Sequence, residues 1–287
     1  MDTRPSLHQT PGALNRSYCM STTLPNPGFG TFRLEGETLR DSLNTALETG
    51  YRHIDTAQFY GNEAEVGQII ADSKVPREEL FITTKIWHDR LVPGDMEKSV
   101  EESLERLQTD NIDLLLIHWP SPNDEVPMED YLPVLAKLKA AGKARHIGVS
   151  NFTCEQLERA VGIVGRDELL TNQVEVHPFM QNRKVIDKCH ELGIEVTAFM
   201  PLAVGKVMDD DTLKAIAERH DASPAQIALA WLKMQDIVTF PSSTKAKNIK
   251  SNFEAFSMSL TGEDMAKIAE LDRGERIANP DFAPDWD

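Results

Sequence analysis

Short apolar runs alternate with amphipathic segments along most of the chain. Runs at 51–57 (YRHIDTA), 81–87 (FITTKIW), 112–119 (IDLLLIHW), 145–152 (RHIGVSNF), 170–177 (LTNQVEVH), 194–200 (IEVTAFM), 237–243 (IVTFPSS) and 254–260 (EAFSMSL) predict eight strands. Between them, segments such as 98–108 (KSVEESLERLQ), 129–142 (EDYLPVLAKLKAAG), 183–193 (RKVIDKCHELG) and 262–272 (GEDMAKIAELD) carry the helical period. Gly142 and Gly193 read as helix stops, and Ser223 followed by Pro224 reads as a helix entry. Strands that are apolar rather than alternating imply a parallel sheet covered on its outer face. Closed on itself, that sheet is a single (β/α)₈ TIM barrel. An open doubly wound sheet is the rival, but no GxGxxG follows the first predicted strand.

No linker or composition break divides the chain, so residues 20–287 are expected to form one barrel domain. The Gly/Pro-rich 25–32 (PNPGFGTF) precedes the first predicted strand. It is expected to form a hairpin or loop that closes the barrel floor or reaches its mouth. Residues 1–19 lack an apolar signal core and are expected to be a disordered extension. The formal charge of −16 argues against nucleic acid and anionic membranes as partners. Three cysteines, Cys19, Cys154 and Cys189, form no CxxC and suit a reducing compartment with free thiols. A cytoplasmic monomer acting on a small molecule, with no bound metal, is the expectation.

Barrels of this kind place their chemistry at the C-terminal strand ends. There the sequence sets Asp55 with Tyr60 in the loop beyond, Lys85 inside FITTKIW, and His118 inside LLIHWP. Each has a plainer reading alone: a helix cap for Asp55, a snorkelling stem for Lys85, a core imidazole for His118. Together they read as a proton-donating device. A free phenol, with a pKa of about 10, donates poorly near neutrality, and a nearby ammonium lowers that value. The ammonium in turn needs a carboxylate to offset its burial. Lys85 is therefore expected to tune Tyr60, Asp55 to hold Lys85, and His118 to donate to a substrate oxygen that gains charge.

The run GYRHIDTAQFYGNE, then TTKIW, LIHWP, IGVSNF and NQVEVHP, resembles the aldo-keto reductases in order over nearly the whole chain from about Phe29. HWPSPNDEVP, FMQNRKV, PSSTKAKNIKSN and the ending APDWD are most similar to the bacterial 2,5-diketo-D-gluconate reductase branch, B type. The resemblance implies a barrel that binds NADPH without a Rossmann motif, with Tyr60 as general acid and Lys85, Asp55 and His118 completing a tetrad. It implies that Ser150 and Asn151 hold the nicotinamide carboxamide with help from Gln173. Gly30 and Thr31 fall beside the nicotinamide ribose, and Phe199 takes the place of a stacking tyrosine. Plainer readings are an ST-turn for Ser150, a helix N-cap for Asn151 and core packing for Phe199. At the adenine end, Ser242 and Asn248 stand where Lys and Arg are common in the family. Ser243, Thr244, Lys245 and Asn252 remain as candidates, with Lys245 as the expected phosphate reader and Lys247 adding charge. Phe32, Trp87, His118 and Trp119 are implied around the substrate.

The activity implied is NADPH-dependent reduction of small ketones or aldehydes. The first expectation is 2,5-diketo-D-gluconate to 2-keto-L-gulonate, with methylglyoxal or a β-keto ester as alternatives. Two rivals from other classes are a non-catalytic NADPH-binding regulatory subunit and a metal-assisted barrel hydrolase.

Overall fold

A computed structural model describes residues 24–287. The expected extension at 1–19, and Cys19 within it, lie outside the described residues. Eight parallel strands form one sheet in sequence order: β1 (Gly28–Gly30), β2 (His53–Asp55), β3 (Phe81–Ile86), β4 (Ile112–Ile117), β5 (Ala144–Ser150), β6 (Leu169–Glu175), β7 (Glu195–Phe199) and β8 (Val238–Thr239). β8 returns to lie beside β1, so the sheet curls into a nearly closed barrel. Around it lie α1 (Gly36–Thr49), α2 (Glu63–Asp72), α3 (Asp95–Leu107), α4 (Met128–Ala140), α5 (Cys154–Val164), α6 (Arg183–Leu192), α7 (Asp211–Arg219), α8 (Pro224–Lys233), α9 (Ala246–Glu254) and α10 (Gly262–Ala269). This is the expected (β/α)₈ barrel. No helix among the described residues is long and apolar enough to cross a membrane.

Two assignments differ from the sequence reading. Residues 28–30 are the first barrel strand, not a hairpin or loop before it. Two glycines in three residues gave no strand signal, yet the barrel requires them. A Cβ on Gly28 would sit 2.4 Å from a ring carbon of Phe240, just past β8. The second difference is 254–260, which ends α9 and turns through a 3₁₀ segment at 255–257 instead of pairing. A short apolar run does not distinguish strand from helix by periodicity. Each strand between them therefore takes a position one later than the sequence order predicts.

The segment leading into β1 does close the floor. Leu24 packs with Leu114, Leu116, Val238 and Phe240. His53 contacts the Pro25 carbonyl at 3.0 Å through Nδ1 and Thr83 Oγ1 at 2.8 Å through Nε2. Asn26 bridges to the β8 side, donating to the Ile237 carbonyl at 3.2 Å and accepting from the Thr239 amide at 3.3 Å. The main core lies between strands and helices, where inward helix faces such as Leu39, Leu43 and Leu47 meet Ile54, Ile82 and Ile86. The helix signals hold: Ser223 caps α8 with Pro224 at its first position, and Gly193 ends α6 in the left-handed region.

Candidate active site

Parallel pairing brings the C-terminal strand ends to one rim. Asp55 ends β2, Lys85 lies one residue before the end of β3, and His118 follows β4 directly. Tyr60 comes back over the rim because a 3₁₀ turn at Gln58–Tyr60 follows β2 and Gly61 closes it at φ 69°. The four residues converge as expected. Lys85 is fully buried, and its Nζ donates to Asp55 Oδ1 at 2.6 Å, to the Thr56 carbonyl at 2.8 Å and to Tyr60 Oη at 3.3 Å. His118 sits edge-on to Tyr60, ring centres 5.8 Å apart.

The electrostatics depart from the sequence expectation at Tyr60. Burial, and then the charge of Asp55, push the phenol well above its usual value instead of lowering it. Lys85 cannot reverse this because its charge is already matched by the carboxylate at 2.6 Å. Tyr60 is thus a neutral O–H donor across the physiological range. Burial lowers the Lys85 ammonium, and Asp55 pulls it back up. Burial, with the nearby Lys85 and His88, holds His118 well below the ordinary imidazole value, so the ring is neutral and carries one N–H.

The residues implied for the carboxamide join the same network. Gln173 Nε2 donates to Asp55 Oδ2 at 2.9 Å. The Gln173 carbonyl accepts from Ser150 Oγ at 2.8 Å and from the Asn151 amide at 2.9 Å. Asn151 Nδ2 donates to the His118 carbonyl at 3.0 Å and to Ser150 Oγ at 3.1 Å. Asn151 is held at φ 62°, and Thr153, not Asn151, caps α5. That geometry leaves Asn151 Oδ1 buried without a partner, and His118 Nδ1 likewise.

A cavity of about 870 Å³ opens above this network. Gly30, Phe32, Asp55, Tyr60, Trp87, His118, Trp119, Asn151, Gln173, Phe199, Ser243 and Asn252 all line it. Three other expected residues stand behind its wall. Lys85 and Ser150 act through their neighbours, and Thr31 is buried with its Oγ1 on the Asp55 carbonyl at 3.2 Å. Thr244 is exposed away from the cavity. At the end of the cavity beside α9 the lining cation is Lys247, not Lys245, because Lys245 is the N-cap of α9 and Lys247 lies two residues further around the helix. Ser242 and Asn248 line that end too.

Sequence reasoning missed several supports. Phe59 stacks on Trp87 at 4.0 Å, and Gln58 Oε1 accepts from the Trp87 amide at 3.1 Å. Asn62 donates to the Thr31 and Leu34 carbonyls at 2.9 and 3.0 Å, fixing the loop after β1. Phe282, from the C-terminal tail, meets Trp87 and Trp119 edge-on with ring centres 5.8 and 5.5 Å away. Its neighbours APDWD carried a resemblance, but no periodicity marks a residue beyond the last helix.

Known proteins resemble this chain in sequence and fold. A methylglyoxal reductase DkgB of Escherichia coli O157:H7 is 48% identical over 265 residues, covering 92% of this chain and 99% of that one. A glyoxal reductase of Bacillus subtilis is 41% identical, covering 90% of this chain and 93% of its own length. Among solved structures, one assigned as a 2,5-diketo-D-gluconic acid reductase B superposes with a TM-score of 0.88 at 44% identity, covering 92% of this chain and 94% of that one. A variant of Gox0644 in complex with NADPH superposes at 0.84 with 32% identity, covering 90% and 93%. Residues 28–273 match the aldo/keto reductase family as a whole. With its barrel, its rim network and these relatives in agreement, the chain belongs to the aldo/keto reductase family and is an oxidoreductase of carbonyl groups.

Proposed function

We propose that this enzyme reduces small aldehydes and ketones with NADPH, and that methylglyoxal is its foremost substrate. The observation that carries the chemistry is the neutral Tyr60 phenol, 3.3 Å from the Lys85 ammonium and edge-on to a neutral His118 at the cavity. A carbonyl oxygen that gains negative charge can take a hydrogen bond from the imidazole N–H and a proton from the Tyr60 O–H. The phenolate left behind gains its countercharge from Lys85, while Asp55 keeps that ammonium in place. General acid catalysis of this kind is worth ~10²–10⁴-fold in rate.

The residues present fit the cofactor. Buried Asn151 Oδ1 is an unused acceptor on the cavity wall, suited to an amide N–H of nicotinamide. Phe199 offers an apolar face, and Lys247 with Ser243 offers a cation and a hydroxyl for a phosphate. When bound, the dihydronicotinamide supplies the hydride. Trp87, Trp119, Phe59 and Phe282 exclude water and leave room for a small carbonyl.

The names of the relatives support methylglyoxal ahead of 2,5-diketo-D-gluconate, which was the first expectation from the sequence alone. The diketo acid stays as a second reading through the similar solved structure. A non-catalytic regulatory role would leave the complete Tyr60–Lys85–Asp55 network without a purpose. The test is NADPH oxidation followed at its absorbance band. Oxidation that requires methylglyoxal, with higher kcat/KM than for the diketo acid, is expected. No carbonyl-dependent oxidation with either would remove the proposal, and a higher kcat/KM for the diketo acid would reverse the order.

A further inference from the structure

Glu175 takes no part in the chemistry above, yet it is a fully buried carboxylate two residues past Gln173 on the same strand face. Its Oε1 accepts from the Ile277 amide at 2.7 Å and contacts His177 Nε2 at 2.9 Å. Its Oε2 accepts from the Ala278 amide at 2.7 Å. Burial pushes this carboxyl up, but the bonds to His177, Ala278 and Ile277 outweigh it and keep the group ionised. A buried charge without such partners would be costly. Two of these partners, the Ile277 and Ala278 amides, belong to the chain beyond α10, which has no helix or strand of its own to fix it.

That tail has other ties. The Phe179 carbonyl accepts from the amides of Arg273 and Glu275 at 3.2 and 2.9 Å. Arg276 lies 3.6 Å over the Trp286 ring, and Trp286 packs on Trp119 with ring centres 6.0 Å apart. The Asp287 carboxylate accepts from the Cys154 amide at 3.0 Å, at the start of α5. Between Ala278 and Trp286 lie Pro280 and Phe282, and Phe282 joins Trp87 and Trp119 in the cavity's aromatic wall.

We infer that Glu175 is a positioning residue: its carboxylate latches the Ile277 and Ala278 amides and thereby sets where Phe282 stands in the substrate wall. The inference rests on the carbonyl-reductase reading for its kinetic consequence. It does not rest on it for the latch itself. Substrates that reach Phe282 feel the latch, and substrates too small to touch it do not.

The test uses Glu175→Gln, which keeps the shape but offers one acceptor oxygen for two amides and removes the charge. Two carbonyls are compared, p-nitrobenzaldehyde as the aryl probe and methylglyoxal as the small one. KM for the aryl probe should rise roughly two- to tenfold, the range of one aromatic contact. Its kcat, KM for NADPH, and kcat/KM for methylglyoxal should stay within about twofold. In a Phe282→Ala background the same substitution should add nothing further, because the latch acts through that ring. Equal losses with both aldehydes, or additive effects in the double variant, would overturn the inference. Hydrogen exchange at the Ile277 and Ala278 amides reads the latch without turnover. These amides should be protected in the native enzyme and exchange at least about tenfold faster in Glu175→Gln, and unchanged exchange would sink the idea even in an inactive enzyme. If that variant does not fold, Ala278→Pro deletes one of the donors from the tail side and takes its place in each arm.

Discussion

Replacing Lys85 by Met tests the charge logic of the rim most directly. Lys85 Nζ is the donor to Asp55 Oδ1 at 2.6 Å, and Asp55 is 4% exposed. Without the ammonium, the carboxylate keeps Gln173 Nε2 at 2.9 Å as its side-chain partner. Breaking a buried pair from one side costs about 3–5 kcal/mol, which corresponds to a fall in Tm of roughly 6–20 °C for a domain of this size. Asp55→Asn should cost less. Burial already lowers the Lys85 ammonium, so the lone lysine can shed its proton. The double variant should be less destabilised than the sum of the singles by at least about 2 kcal/mol, since neither charge is then stranded. Urea unfolding of the cofactor-free protein at pH 7 measures all three. A single-variant loss under about 1 kcal/mol, or strict additivity, would refute the reading of Lys85 and Asp55 as a coupled buried pair.

Other outcomes follow from the same site. Tyr60→Phe should lower carbonyl reduction by ~10²–10⁴-fold while NADPH binding, followed by fluorescence titration, stays near normal, and near-native turnover would remove Tyr60 as the acid. Lys247→Ala should raise KM for NADPH by about tenfold at low salt and leave NADH unmoved, with a smaller effect from Lys245→Ala. The reverse ranking would return the phosphate to Lys245. Burial lowers His53 to about 4 from an ordinary value near 6.5. Below pH 6.5 the unfolded chain therefore binds a proton that the folded one refuses, and stability falls towards pH 4 by roughly 3 kcal/mol from this group. His53→Gln should flatten that slope in acid unfolding curves, and an unchanged slope would show that other groups set it.

The sequence by itself determined the fold class and the four side chains that meet at the rim. Apolar strands at regular intervals leave few architectures, and a carboxylate, phenol, ammonium and imidazole at successive predicted strand ends have one common rim to share. Those signals are local, so they survive in one dimension. What it could not supply were features made by distant segments meeting. Gly28–Gly30 is a strand because it pairs with His53–Asp55 in the barrel, and Gly28 leaves room for the Phe240 ring. Tyr60 has a raised pKa, contrary to expectation, because the barrel removes water around it and the Asp55 charge lies close by. Lys247 replaced Lys245 at the cavity because the first turn of α9 decides which side chain faces inward. Phe282 and Glu175 lie more than a hundred residues apart, and only the folded tail joins them through the Ile277 and Ala278 amides. Periodicity records which face of an element is buried. Which charge sits beside which, and how much water lies between them, is fixed by tertiary packing alone.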